Sequence, residues 1–193
     1  MRKRICVFCG SNPGSGPAYL EAARSLGRTL AQTGRSLVYG GAKVGMMGAL
    51  ADAVLEAGGE AVGVMPEGLI RREIAHTGLT AFHKVESMHQ RKALMADLSD
   101  GFIALPGGYG TLDEFCEILT WAQLGLHAKP CGLLNVRGYF DSLLAFLDHG
   151  VREELLRPAH RGLILAETDS LRLLHRMEAW QPVHLPKWIP SNE

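Results

Sequence analysis

Gly101-Phe102-Ile103-Ala104-Leu105-Pro106-Gly107-Gly108-Tyr109-Gly110-Thr111-Leu112-Asp113-Glu114 is the stretch that decides the fold. An apolar run leads into a Pro-Gly-Gly turn, and a helical pattern follows through Phe115, Ile118, Leu119 and Ala122. The reading is a buried strand, a glycine turn, then a helix beginning near Thr111. A turn of this kind exposes backbone N–H groups at a helix N-terminus, where the helix dipole favours an anion, above all phosphate. Glycine lets the backbone approach that anion with no Cβ in the way. Glu114 is expected on the first turn of the same helix, within reach of whatever the phosphate is attached to. The turn points to a phosphorylated ligand, and the carboxylate beside it points to chemistry.

The same alternation extends in both directions from this stretch. Short apolar runs at residues 4–9, 36–39, 60–65, 101–105, 131–134 and 163–165 predict strands, with a further extended piece at 80–85. Helical patterns fall at 17–32, 46–57, 88–98, 111–124, 139–149 and 170–177. The strands are continuous rather than alternating in polarity, as expected when helices cover both faces. Strands alternating with helices imply an α/β chain built on a parallel, doubly wound sheet of about six or seven strands. Residues 1–180 are read as a single domain and 181–193, with Pro182, Pro186 and Pro190, as a C-terminal tail.

Ligands of open α/β sheets bind outside the carboxyl ends of the strands, where strand order reverses. Two more glycine-rich turns are expected on that edge. Cys9-Gly10-Ser11-Asn12-Pro13-Gly14-Ser15-Gly16 follows the first strand, and Gly40-Gly41-Ala42-Lys43-Val44-Gly45-Met46-Met47-Gly48 follows the second. Gly10, Ser11, Gly40 and Gly41 would form a pocket floor. Taken singly, each turn reads as chain reversal. There is no dinucleotide fingerprint and no P-loop. Gly107, Gly108, Gly110 and Thr111 are the candidate phosphate-binding positions, because glycines, a threonine and acidic residues coincide there.

Composition narrows the function classes. Among 193 residues, 20 basic and 20 acidic side chains give formal neutrality, which argues against bulk nucleic-acid or membrane-surface binding. No apolar run approaches the roughly 20 residues that span a bilayer, and no signal peptide is legible, so a cytoplasmic location is expected. Cys6, Cys9, Cys116 and Cys131 lack the spacing of a zinc site, and the Cys6-x-x-Cys9 pair ends a strand rather than opening a helix; buried thiols are the preferred reading. No metal is expected. Around Lys43, Lys84, Lys92 and Lys129 nothing marks an anchor for pyridoxal phosphate, and no cofactor is expected.

Upstream lies Met88-His89-Gln90-Arg91-Lys92-Ala93-Leu94-Met95. Cations near a helix start are disfavoured by the dipole, and nearby anions would offset that cost. A solvated basic face is the alternative. Because this helix feeds the strand ending at Pro106, Arg91 and Lys92 can fold back over the glycine turn. The planar fork of an arginine binds phosphate or carboxylate through two hydrogen bonds.

Arg91-Lys92 followed by Pro106-Gly107-Gly108-Tyr109-Gly110-Thr111-Leu112-Asp113-Glu114 resembles the signature of the LONELY GUY (LOG) family. These are cytokinin riboside 5′-monophosphate phosphoribohydrolases, once mislabelled as lysine decarboxylases. The likeness extends through Cys9-Gly10-Ser11, Tyr39-Gly40-Gly41 with Gly45-Met46-Met47-Gly48, and Thr120-Trp121-Ala122-Gln123-Leu124-Gly125. Asp113 stands where many relatives carry glutamate. The resemblance implies a Rossmann-like fold and hydrolysis of the N-glycosidic bond of a nucleoside 5′-monophosphate. The products would be adenine or an N6-prenylated adenine and ribose 5-phosphate. It implies Arg91 and Glu114 as the catalytic pair. It also implies substrate contacts from Glu73, Arg91, Lys92, Gly108, Tyr109, Gly110, Thr111, Leu112, Asp113, Glu114 and Thr120. A homodimer whose partner helps complete the site is implied as well. Trp121 and residues 124–126 fit either an exposed apolar face or core.

The chemistry of the residues agrees with that expectation. Cleaving an N-glycosidic bond places positive charge on the ribose, and a fixed carboxylate stabilises such charge and can orient or deprotonate water. Near Arg91 and close to a helix start, Glu114 is expected to stay ionised. Arg91 can orient Glu114, bind the ribose or phosphate, or combine these roles. A non-catalytic nucleotide or cofactor carrier, such as the related molybdenum-cofactor carriers, is the alternative from another class. A DNA-binding Rossmann-like protein is a third, and it expects a basic surface.

Overall fold

A computed structural model describes residues 3–70 and 75–182. Glu73 and the 183–193 part of the tail lie outside the described residues. The strands are β1 (Arg4–Phe8), β2 (Ser36–Tyr39), β3 (Ala61–Pro66), β4 (Ala81–Val85), β5 (Gly101–Ala104), β6 (Cys131–Leu134) and β7 (Ile164–Glu167). The helices are α1 (Ala18–Gln32), α2 (Gly45–Glu56), α3 (Glu67–Ile70), α4 (Met88–Asp97), α5 (Tyr109–Gln123), α6 (Asp141–Arg152), α7 (Pro158–Arg161) and α8 (Ser170–Ala179). All seven strands form one parallel sheet in the order β4-β3-β2-β1-β5-β6-β7.

Side-chain alternation along each strand explains why the sheet is buried on both sides. Ile5, Val7 and Cys9 join one core with Leu26 and Leu30 of α1, Leu50 and Val54 of α2, and Leu173 and Leu174 of α8. Cys6 and Phe8 point to the other, with Met95 of α4, Phe115 and Ile118 of α5, and the partly buried Leu143, Leu144 and Leu147 of α6. Ile103 and Leu105 join the first core, Phe102 and Ala104 the second. With apolar demand on both faces, strands read as continuous apolar runs.

The order reverses at β1. From β1 the chain runs outward through β2, β3 and β4, then returns so that β5 pairs with the other side of β1. The loops after β1 and β5 therefore face each other across the switch point, where α/β sheets bind ligands. They are tied together by Gly10, whose N–H donates to the Pro106 carbonyl at 3.1 Å.

Two helix starts lie two residues away from the sequence reading. α5 begins at Tyr109, not near Thr111: Gly108 is extended (φ −92°, ψ −151°) and its carbonyl accepts the first helical bond, from Leu112 N–H at 3.1 Å. Glycine's poor helix propensity hid this start, since Gly110 sits inside the first turn. Consequently Glu114 lies on the second turn of α5, and the first turn carries no acidic residue. α6 begins at Asp141 rather than 139, because Arg137 (φ 54°) and Gly138 (φ 72°) are left-handed and end a short 3₁₀ turn, Val136–Gly138. The one-turn α3 and α7 carry too little periodicity to be read from sequence. Among the described residues no helix is long and apolar enough to cross a membrane.

Candidate active site

The facing β1 and β5 loops open onto a cavity of about 540 Å³. From β1 and its loop come Val7, Phe8, Cys9, Gly10, Ser11, Asn12 and Gly14; from the β5–α5 turn come Pro106 to Thr111, then Asp113 and Glu114. Gly40, Met46 and Met47 contribute from the β2–α2 segment, Met88 and Arg91 from α4, Tyr19 from α1, and Tyr139 from the β6–α6 connection. The volume falls within the range of pockets that enclose a small organic ligand.

Each glycine of the turn has its own physical reason. A Cβ on Gly107 would strike the Thr111 side chain, with Thr111 Cβ 2.7 Å and Gly10 N 2.8 Å away. Gly107 is therefore required by packing of the two loops. Around Gly108 and Gly110 a Cβ would meet nothing within 4 Å, so their bare backbone fronts open space. Because the first intrahelical bond belongs to Leu112, the N–H groups of Tyr109, Gly110 and Thr111 have no acceptor within their own helix. These donors and the helix dipole are what an anion site is made from. Thr111 is buried and Tyr109 is 94% exposed at the cavity mouth.

Arg91 is buried, 6% exposed, although it sits on the first turn of α4. Ser87 caps that helix by accepting from Gln90 N–H at 3.2 Å. The guanidinium passes beneath the β2 turn: Nη2 donates to the Gly40 carbonyl at 3.3 Å and Nη1 to Met88 Sδ at 3.7 Å. Its Nε has no hydrogen-bond partner among the described residues. A buried cation with weak neutral acceptors and a spare donor favours an anionic or oxygen-rich ligand. Glu114 lines the same cavity, and its charge is felt at both Cys6 and Cys9. Burial first, and the Glu114 charge second, push both thiols well above their ordinary range, so Cys9 meets the cavity as a neutral thiol. All four cysteines are free, and the structure makes Cys6 and Cys9 buried thiols. No group of three or more His, Cys, Asp or Glu among the described residues is placed to hold a metal ion.

Several residues marked in the sequence lie apart from the cavity. Lys92 bonds Asp113 at 3.2 Å and Glu117 at 3.0 Å, joining α4 to α5. Burial works against its charged form, but hydrogen bonds to Glu117 and Asp113 prevail and hold its pKa above the ordinary value. Asp113 thus both lines the cavity and orders Lys92. Leu112 packs on the second core, and Thr120 gives its hydroxyl to the Cys116 carbonyl on the exposed side of α5. Gly41 is not a lining residue; its φ of 80° makes the turn.

The Gly40–Gly41 turn is held from behind by His76. His76 N–H donates to the Gly41 carbonyl at 2.9 Å, while Nδ1 accepts from Gly78 N–H at 3.0 Å. That leaves the proton on Nε2, which donates to Asp52 at 2.9 Å. His76→Ala keeps the backbone bond to Gly41 and is expected to lower stability by about 1–3 kcal/mol by orphaning the Gly78 N–H and the Asp52 carboxylate. A melting temperature within a degree of the parent would contradict that.

Sequence reading missed Tyr19, Tyr139, Asn12, Gly14, Met46, Met47 and Met88 as lining residues. The glycine motif containing Met46 and Met47 was a usable signal. Tyr19 and Tyr139 carried none, because only the fold brings α1 and the β6–α6 connection to the β1–β5 mouth.

Fold and cavity together define a Rossmann-like α/β protein with a ligand-sized cavity at the switch point. A family model described as "Possible lysine decarboxylase" matches residues 47–177. A cytokinin riboside 5′-monophosphate phosphoribohydrolase of Arabidopsis thaliana is 49% identical, covering 93% of this chain and 83% of the relative. One from Rhodococcoides fascians is 52% identical over 86% of this chain and 85% of its own length. The chain belongs to this phosphoribohydrolase family. Among solved structures, the molybdenum cofactor binding protein of Rippkaea orientalis shares the fold, with a TM-score of 0.71 at 22% identity over 93% of this chain and 97% of its own.

Proposed function

We propose that this protein hydrolyses the N-glycosidic bond of adenine-type nucleoside 5′-monophosphates, plain or N6-prenylated, releasing free base and ribose 5-phosphate. The observation that carries the reading is the meeting of Arg91, Glu114 and the Gly107–Thr111 turn in one cavity at the switch point. In this reading the turn holds the 5′-phosphate and places the anomeric carbon against Glu114. Glu114 stabilises the positive charge that develops on the ribose and orients or deprotonates the attacking water. Arg91 anchors the anionic or hydroxyl groups of the phosphoribosyl unit. The activity named for the relatives supports this chemistry. A pyridoxal-phosphate decarboxylase would need an anchoring lysine, and among the described residues no lysine lines the cavity.

Release of base from AMP and from isopentenyladenosine monophosphate tests the reading, with Glu114→Ala as control. Base release abolished in the control supports it. Tight binding without release from either substrate would favour a non-catalytic carrier; the structural neighbour is named as a cofactor binding protein. Adenosine, lacking the phosphate, is expected to show a kcat/KM lower than that of AMP by about 10²–10³-fold. Equal efficiency on the two would count against the phosphate turn.

The protein is further inferred to act as a homodimer. Thr120 lies nine residues beyond Thr111 on α5 and outside the cavity, about 13 Å along the helix axis. A substrate contact from Thr120 therefore belongs to a neighbouring copy's cavity. The exposed Leu124 and Leu126 at the end of the same helix are apolar surface suited to that neighbour. Sedimentation equilibrium at micromolar concentration reads the outcome, and a monomer would remove Thr120 from the site.

A further inference from the structure

We propose that Tyr139 is a positioning residue for the phosphate turn, acting through the peptide that joins Gly107 to Gly108. The inference rests on the reading of that turn as the 5′-phosphate site. The Tyr139 hydroxyl donates to the Gly107 carbonyl at 2.7 Å, across 32 residues of sequence. A trans peptide is planar, so its C=O and N–H point in opposite directions. Fixing the Gly107 carbonyl on the tyrosine therefore fixes the aim of the Gly108 N–H, immediately before the donors of α5. The preceding peptide is fixed as well, since the Pro106 carbonyl accepts from Gly10 N–H at 3.1 Å. Glycines at 107 and 108 leave this backbone free to rotate in the absence of such restraints.

The surroundings of Tyr139 are built to hold it in place. Arg137 adopts a left-handed conformation (φ 54°, ψ 31°) that a residue with a side chain rarely takes. Gly138 follows at φ 72°, and together they carry the chain from β6 back over the β5–α5 turn. Asn135 anchors both ends of this bend: its Oδ1 accepts from Phe140 N–H at 2.8 Å and its Nδ2 donates to Asp141 at 2.7 Å. The tyrosine ring is then clamped edge-on between Tyr19, with centroids 6.0 Å apart, and Phe140, at 5.2 Å. Tyr19 belongs to α1, so the clamp joins elements from both sides of the switch point. Tyr139 remains 45% exposed and lines the cavity, so this bond is made at the site itself.

Tyr139→Phe removes the hydroxyl and keeps the ring contacts, so the fold is retained. The test compares wild type and variant in three readouts: KM and kcat for AMP, kcat/KM for adenosine, and the inhibition constant of ribose 5-phosphate. The expected result is a rise of about tenfold in KM for AMP and in the ribose 5-phosphate inhibition constant, with kcat within about threefold. Selectivity for AMP over adenosine should narrow by the same factor. Unchanged constants for both phosphorylated ligands would overturn the proposal. An equal loss on AMP and adenosine would also overturn it, because that is general damage rather than a lost aim at phosphate. Direct titration of ribose 5-phosphate by calorimetry reads the same shift without turnover. A wild-type protein that neither cleaves AMP nor binds ribose 5-phosphate would instead remove the proposed function, and this inference with it.

Discussion

Glu114→Gln is expected to bind a nucleoside 5′-monophosphate with near-parental affinity while releasing base at least about 10³-fold more slowly. Glutamine keeps the shape and the helix position and removes the charge. In the proposed site, ground-state binding relies on the glycine turn and Arg91, which the substitution leaves in place. The transition state differs from the ground state chiefly in the positive charge spread over the ribose ring and its oxygen. A carboxylate fixed beside that ring is stronger there than toward the neutral sugar, which is the condition for accelerating a reaction rather than only tightening binding. The cavity wall enhances the effect: Phe8, Met46, Met47 and the neutral Cys9 surround the site with groups that screen charge poorly. Base release followed by chromatography, beside calorimetric binding of AMP, separates the two quantities. Turnover within tenfold of wild type would take Glu114 out of the chemistry. Loss of binding together with turnover would make it a substrate anchor.

Where the cavity of the candidate site lies was legible because of one physical coincidence. A buried strand, a glycine turn and a helix in direct succession can only place the turn at the carboxyl end of a strand, and the apolar runs made the sheet parallel. The switch point follows from strand order, which sequence does not state, yet β1 and β5 proved to be neighbours with their loops hydrogen-bonded. Gly107 carried more information than its neighbours, since its need is internal packing, whereas Gly108 and Gly110 are open to whatever binds. The helix start was misplaced by two residues because glycine propensity pointed the wrong way, which moved Glu114 from the first turn to the second. Arg91 was legible as a cation out of place on a helix start. Its burial was not, because the partner that covers it, Gly40, lies 51 residues away. Lys92 illustrates the converse: adjacent in sequence to Arg91, it is turned to Asp113 and Glu117 of α5. A helix rotates by about 100° per residue, so neighbours on a helix serve different faces. Tyr19 and Tyr139 were invisible for a related reason: side chains distant in sequence meet only once α1 and the β6–α6 bend are packed.

Gly40→Ala is expected to reduce kcat/KM by about 10²-fold or more with little loss of stability. Gly40 does not carry a left-handed φ, so alanine is compatible with its backbone. The added Cβ would overlap Arg91 Nη2 and come within 2.6 Å of Met47 Cε and 3.1 Å of Arg91 Cζ. Both Arg91 and Met47 are long side chains that can retreat, so the fold accommodates the methyl and the guanidinium gives way. A displacement of about 1 Å at a group proposed to anchor the substrate is enough for a loss of this size. Gly48 makes the contrast clear, because a Cβ there would strike the backbone of Lys43 instead, and backbone cannot step aside. Combining the change with Arg91→Ala identifies the route of the effect. If Gly40→Ala acts by moving Arg91, it should cost almost nothing further once the guanidinium is gone, a strongly non-additive cycle. Full additivity would mean that the methyl harms the cavity directly, for instance through Met47. Wild-type activity in Gly40→Ala, with the fold intact, would show that the reaction does not depend on where Arg91 places its charge.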